Sequence, residues 1–334
     1  MHTPDLLSLY EQIDPPDPSS EQSVRYAARV MPGLEQYRVA KDAAQNPSLL
    51  IAVPGLTEQP FLFPVVLEHL RVQFNVTCRV LHSDGLIDEG RFTVLTCIDA
   101  DDTLRAYFLR VAALLIASCG STPTEQSLLH GVAALVELFA ALSRPPRDTI
   151  QGLWAELFLI SQARDPATLV RAWHVEPNDL FDFSATDQRI EVKSTSGSTR
   201  RHTFALEQAR PPEGVSVLVA SLRTIRVGAG ASIEDVIKTI RRRLGGDFDL
   251  MLRVEQLVAV TLGNSLSATS DEHFDLEIAR QSLAFYEAYT IPSVDPSLPD
   301  GVCKVRFEAD LTRVPSLELA ALRSSGGIFQ AVLR

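Results

Sequence analysis

Asp182-Phe183-Ser184-Ala185-Thr186-Asp187-Gln188-Arg189-Ile190-Glu191-Val192-Lys193 reads as a β-hairpin that gathers charge at one edge. Leu180 to Ser184 is predicted as one strand and Arg189 to Thr195 as the next, with Ala185 to Gln188 as the turn. Strand alternation puts Ile190 and Val192 on one face and Glu191 and Lys193 on the other. Asp182, on the partner strand, reaches the same spot. Two carboxylates held together are costly unless a cation sits between them. A hard divalent ion such as Mg²⁺ takes such oxygens, and the Val192 carbonyl is available as a further ligand. Lys193 beside the ion is placed to act on an attacking water and to neutralise phosphoryl charge. Asp179 and Asp187 compete for the aspartate position. Asp182 is preferred because Phe181 and Phe183 flank it in a strand, whereas Pro177-Asn178-Asp179 and Asp187 read as turn chemistry.

The flanks of the hairpin reinforce this reading. A helix is expected from about Asp148 to Ala163, and within it Glu156 lies between Leu153 and Ile160, on the buried side. A short helix follows from Pro166 to about Trp173, and His174-Val175 is a further strand candidate. After the hairpin, Phe204 to Arg210 fits a short strand or one to two helical turns. Val215 to Leu222 is an apolar run of the kind found in a strand buried on both faces. Ser232 opens a strong helix that Gly245-Gly246 ends.

Asp182, Glu191 and Lys193, in the order Asp…Glu-Val-Lys, resemble the motif of the PD-(D/E)XK nuclease superfamily, with Phe181 standing where the motif has Pro. The order helix, strands, helix, strand is similar to its restriction-endonuclease-like αβββαβ core, over roughly residues 147–225. The resemblance implies a Mg²⁺-dependent endonuclease hydrolysing DNA phosphodiester bonds, with Mn²⁺ as a substitute. It implies metal ligation by Asp182, Glu191, the Val192 carbonyl and Glu156, catalysis by Lys193, and a polar partner near the scissile phosphate at Gln208. More loosely, the layout is similar to uncharacterised prokaryotic proteins of restriction or phage-defence type. Such a setting implies a homodimer or a subunit of a multi-protein complex. A catalytically silent DNA-binding or scaffold subunit is the rival from another class, and an RNA or structure-specific nuclease is a third reading.

The formal charge of the 334-residue chain is −11, which argues against a polyanionic partner only until its distribution is read. From Arg189 to Arg243 there are eleven basic and five acidic residues, an excess of six positive charges. Ser194 to Thr199 forms a small polar loop beside Lys193, closed by Arg200-Arg201-His202. Ser194, Arg200, Arg201 and His202 are therefore the expected contacts to a nucleic-acid backbone. Arg241-Arg242-Arg243 ends a helix, where cations are favoured in any case.

The remaining sequence divides the chain. Residues 1–35 read as an extended lead-in through Asp14-Pro15-Pro16-Asp17-Pro18, with a short helix at Glu21 to Val30. Residues 36–102 read as an antiparallel sheet, with strands at Leu49 to Val53, Phe74 to Val80 and Arg91 to Cys97. Pro54-Gly55 and Asp84-Gly85 mark its turns. Helices follow at Thr103 to Ala117 and Leu128 to Leu142. Beyond residue 247 a mixed α/β segment is expected, with a helix at Leu276 to Ala288 and a strand at Val302 to Phe307. The expectation is thus an α+β protein in three parts: a β-rich domain with a helix at 1–120, the nuclease-like core at 121–244, and an α/β extension at 245–334.

The Met1-His2-Thr3-Pro4-Asp5 start is unlike a signal peptide, and the longest purely apolar run, Val111 to Ala117, is short for a membrane span. Cys78, Cys97, Cys119 and Cys303 are scattered without a Cys-x-x-Cys pair, which points to a reducing, cytoplasmic setting and to buried cysteines. No phosphate-binding Gly-x-x-x-x-Gly-Lys loop is present, so no nucleotide cofactor is expected. Trp154 and Trp173 read as core. His69, His82, His130 and His174 show no ligand spacing.

Overall fold

The computed structural model describes residues 5–16, 24–54, 63–82, 85–174, 179–294, 299, 301–318, 320, 322 and 326–332. Asp17-Pro18, Gly55, Asp84, Val175 and Pro177-Asn178, all named above, lie outside them. The chain forms two compact units. The first comprises Met1–Arg147 and Val258–Ser267, the second Asp148–Leu257 and Ala268–Arg334. The division expected at 120/121 differs from this because the helix at 125–142 packs on the helix before it, and that at 244/245 because strands at 284–287 and 306–310 pair with strands at 216–223 and 201–205.

The first unit is built on a six-stranded sheet in the order β1-β2-β3-β6-β5-β4. Its strands are β1 (Tyr26–Met31), β2 (Leu34–Asp42), β3 (Pro47–Ile51), β4 (Val65–Val66), β5 (Leu70–His82) and β6 (Ile87–Cys97). β1 also pairs in parallel with β5, Tyr26 opposite Val80, which closes five of the strands into a ring. Tyr26, Ala28, Ala40, Leu50, Cys78, Val80, Phe92 and Val94 form its core. The helix expected at Glu21 to Val30 is instead strand β1 over its described part. Pairing along both of its edges outweighs the local helix preference of its alanines and arginines.

Helix α1 (Leu6–Glu11) precedes the sheet, and α2 (Asp102–Cys119) and α3 (Glu125–Leu142) follow it. Phe139 of α3 packs against Tyr107 and Phe108 of α2. α3 is long and apolar enough to cross a membrane by length and composition. Its buried residues Leu128, Val132, Leu135, Phe139 and Leu142 nevertheless recur every three to four positions, as in a core helix with one inward face.

The second unit carries the α+β core predicted around the hairpin. In chain order it contains α4 (Ile150–Gln162), α5 (Pro166–Ala172), β7 (Phe183–Ala185), β8 (Gln188–Thr195), β9 (Arg201–Ala205), α6 (Leu206–Ala209) and β10 (Ser216–Arg223). There follow β11 (Arg226–Ala231), α7 (Ile233–Leu244), α8 (Phe248–Leu262, which ends in the first unit), α9 (Leu276–Ser282), β12 (Ala284–Glu287), β13 (Arg306–Asp310) and α10 (Gly327–Ala331).

The sheet order is β12-β10-β8-β7. β7 and β8 are the antiparallel hairpin, shorter on its first arm than expected, with Thr186 in the left-handed region at φ 50° in the turn. β8 and β10 run parallel over eight residues from Gln188 opposite Ser216 to Thr195 opposite Arg223. The third strand, β9, pairs with β13 rather than with β8. The helix predicted to run from Leu276 to Ala288 stops at Ser282. Phe285 and Tyr286 then bury themselves in β12 against β10, as aromatic residues on a pleated surface do. The strand expected at Val302 to Phe307 forms four residues later, in register with β9. α7 is capped reciprocally by Ser232 and Asp235 and ends at Gly245, whose φ of 64° suits glycine.

Candidate metal centre and nucleic-acid interface

α4 is buried almost all round, and Glu156 lies within it at 3% exposure. A carboxylate so deep requires partners. Its Oε2 accepts a hydrogen bond from the Trp173 indole Nε1 at 2.6 Å and lies 2.9 Å from His174 Nε2. Trp173 is core, as expected, but its indole also anchors the glutamate.

The chain after α5 is held in place by two devices. Trp173 bridges to Phe183, and the His174 N–H donates to the Asp182 carbonyl at 2.8 Å. Arg253 of α8 donates to the carbonyls of Val170 at 2.9 Å and Trp173 at 2.6 Å. His174 adopts a left-handed backbone with φ 41°, which turns its ring back toward Glu156.

Asp182 sits one residue before β7, and its Oδ2 accepts the backbone N–H of Val192 at 2.7 Å. The hairpin thus fixes the carboxylate against the middle of β8. Glu156, His174 and Asp182 each present one ligand atom, and the three lie within 4.8 Å of one another. Glu191 stands beside this triangle rather than in it: its Oε1 pairs with Lys193 Nζ at 2.6 Å. Its Oε2 is buried, with Gln208 as the nearby polar side chain.

The electrostatics express the crowding. Burial, then the charges of Glu191 and Glu156, push the Asp182 carboxyl well above the usual carboxylate range, against the pull of the Val192 N–H and Lys193. Burial also raises Glu191, and Glu156 adds to it, while Lys193 and Gln208 oppose. Burial disfavours the charged ring of His174. The hydrogen bond it donates to Glu156 and the charges of Glu156, Glu191 and Asp148 outweigh that and raise its pKa. His174 Nε2 thus sits against Glu156 Oε2 inside the triangle, while Lys193 pairs with Glu191 beside it.

The donor set fits a divalent cation: two oxygen donors and one imidazole converge, with the buried Glu191 carboxylate beside them. Gln208, on the short helix α6, is buried and held by two backbone bonds. Its Oε1 accepts from Ala205 N–H at 3.0 Å, and its Nε2 donates to the Leu180 carbonyl at 2.8 Å. Val192 meets the cluster through the N–H that holds Asp182.

The expected backbone contacts separate into two groups. The Arg200 guanidinium donates to Ser221 Oγ and carbonyl, both at 2.9 Å, and to the Ser282 carbonyl. It is thus part of the packing between β10 and α9. His202 is buried, with Nε2 2.8 Å from Ser221 Oγ. Burial and the neighbouring Lys193 and Arg200 lower its pKa to about 4, so it is a neutral interior group. Ser194 accepts from Gln151 Nε2 at 3.3 Å. Arg201 is exposed, with Nε 3.6 Å from Asp310.

In the triplet at the end of α7, Arg243 donates to the carbonyls of Ser161 at 2.9 Å and Arg164 at 3.2 Å. Arg241 reaches buried Glu255 at 3.5 Å. Arg242 is exposed. All four cysteines are free, and Cys303 is exposed rather than buried.

His174 is the residue that spacing does not reveal. It lies eight positions before Asp182, and it joins the cluster through its backbone turn and a bridge to the hairpin. The only local signal is a histidine next to a core tryptophan. The family model described as "Putative PD-(D/E)XK family member, (DUF4420)" matches residues 9–312. Comparison with curated proteins and with solved structures finds no match.

Proposed function

The chain belongs to the DUF4420 family of PD-(D/E)XK members, whose membership points to a nuclease-type hydrolase, and from that premise we propose that it is a divalent-metal-dependent endonuclease acting on DNA. One observation carries the reading. Glu156, Asp182 and His174 converge within 4.8 Å, beside the ion pair of buried Glu191 with half-buried Lys193. Glu156 and Asp182 would hold the cation, with Glu191 Oε2 and His174 Nε2 available to complete the donors. An imidazole among the oxygens favours Mn²⁺ alongside Mg²⁺. A cation held there supplies charge neutralisation and Lewis-acid polarisation of the phosphodiester.

The chain's own groups do the rest. Asp182 is fixed by the Val192 N–H, so its oxygens are preorganised. Lys193 is held over the Phe204 ring, 5.3 Å from its centroid, and at the Glu191 carboxylate. From there its ammonium orients the attacking water and stabilises charge developing on the phosphate. Trp173 and Gln208 keep Glu156 and the wall beside Glu191 in position. A restriction or phage-defence setting, and cleavage of both strands by a dimer or a larger complex, are proposed on the family resemblance.

The test is nicking of supercoiled plasmid by purified protein with Mg²⁺ or Mn²⁺. Wild type is expected to nick, and Lys193→Ala and Glu191→Gln to do so at least ~100-fold more slowly. Equal nicking by wild type and both variants would sink the assignment.

A further inference from the structure

The second unit contains a groove of about 610 Å³ between the end of α4, α7 and α9, and none of its lining residues belongs to the acidic cluster. Ala231, Val236 and Leu276 form its apolar floor. Four cationic side chains line it, Lys238, Arg241, Arg242 and Arg280, together with the neutral polar groups of Ser161, Gln162 and Thr239. Arg241 is committed to buried Glu255 at 3.5 Å, whereas the pairs Lys238–Asp235 at 3.7 Å and Arg280–Glu277 at 2.6 Å are solvent-exposed and open to exchange for a phosphate. Asp235 is the one carboxylate of the lining. Its Oδ2 is taken by the Ser232 N–H at 3.1 Å and hydroxyl at 2.8 Å, capping α7.

Lys238 and Arg242 are one helical turn apart on the exposed face of α7, and Arg280 faces them from α9. The C-terminus of α4 would turn its negative pole toward an anion here. Arg243 covers that end by donating to the carbonyls of Ser161 and Arg164. Four cations against one carboxylate in the lining leave the groove positive in a chain of net charge −11, and Arg242 is exposed within it.

We propose that this groove binds the phosphodiester backbone of nucleic acid through Lys238, Arg242 and Arg280. The proposal extends the nuclease reading and rests on it for the identity of the polyanion. It replaces Arg200 and His202, which are turned inward, with a different set of backbone contacts. Because phosphate contacts position a duplex without reading its bases, the groove would supply affinity rather than sequence choice.

Fluorescence anisotropy of a labelled duplex, in EDTA so that no cleavage occurs, tests it on the full chain. The three substitutions Lys238→Ala, Arg242→Ala and Arg280→Ala alter exposed side chains, and circular dichroism and melting check that the variant is folded. The triple variant is expected to bind at least tenfold more weakly. Its log–log salt slope is expected to fall by about 3, near one unit per lost phosphate contact.

Unchanged affinity and slope, or no duplex binding by wild type, overturns the proposal. In a second arm ATP is titrated as a free nucleotide. Loss of ATP binding in the triple variant with duplex binding intact also overturns it, and makes a small phosphate-bearing molecule the occupant. Binding through the groove without plasmid nicking by wild type would defeat the nuclease reading and leave the groove standing. Nicking with groove-independent binding would do the reverse.

Discussion

Trp173 shows how one side chain serves packing and chemistry together. Its ring stacks near Phe183, and its indole N–H holds Glu156 at 2.6 Å in a fully buried setting. Trp173→Phe keeps an aromatic ring but removes the donor to a charged acceptor. The expected loss is about 2–3 kcal/mol in a urea unfolding experiment, along with weaker divalent-ion binding.

The carboxylates carry a pH signature with a definite sign. Asp182 and Glu191 have folded values above their ordinary 3.8 and 4.5. The folded state therefore holds more protons than the unfolded one over the interval from those ordinary values up to the raised ones. Stability must fall as pH rises through that interval. His174, raised above 6.5, adds a loss of the same sign at higher pH. Melting curves in EDTA from acid to mildly alkaline pH are expected to show wild type losing stability relative to Asp182→Asn. Parallel curves would contradict the crowding.

Asp182, Glu191 and Lys193 were legible because a hairpin converts sequence spacing into proximity. Glu156 was legible from its helical face. His174 was not, since its approach depends on a left-handed backbone residue and on Arg253 from a distant helix. Arg200 and His202 looked like surface contacts because sequence does not show that Ser221 and Ser282 await them.

At the scale of elements, local signals were reliable where they agreed with pairing. The Ser232–Asp235 capping box and Gly245 bound α7 where the sequence put it. Ser232→Ala is expected to cost about 1 kcal/mol, read as a lower urea midpoint with an unchanged slope, because the cap is exposed and its loss leaves the core intact. β8 and β10 were legible from apolar runs, and their parallel ladder places Glu191 opposite Val219 and Lys193 opposite Ser221. Misreadings fell where a distant partner decides the outcome. β1 gains neighbours on both edges from β2 and β5. β12 replaces the second half of an apparent helix because β10 offers an open edge. The pairing of β9 with β13, across about a hundred residues of chain, has no local signal.

At the scale of the whole molecule, the excess positive charge between Arg189 and Arg243 is put to three uses. Arg243 and Arg200 hold backbone carbonyls, Lys193 neutralises Glu191, and Lys238 and Arg242 line a groove. The second unit therefore contains both the acidic cluster and the proposed backbone groove. The first unit is a separate β-rich body with its own core. The proposed activity stands on Glu156, Asp182 and Glu191, with His174, holding a divalent cation. Calorimetric titration of the metal-free chain with Mn²⁺ is the decisive measurement. Saturable binding by wild type is expected, weakened at least tenfold by each of Asp182→Asn and Glu156→Gln. Absence of binding by wild type, or binding by both variants with wild-type affinity, would contradict it.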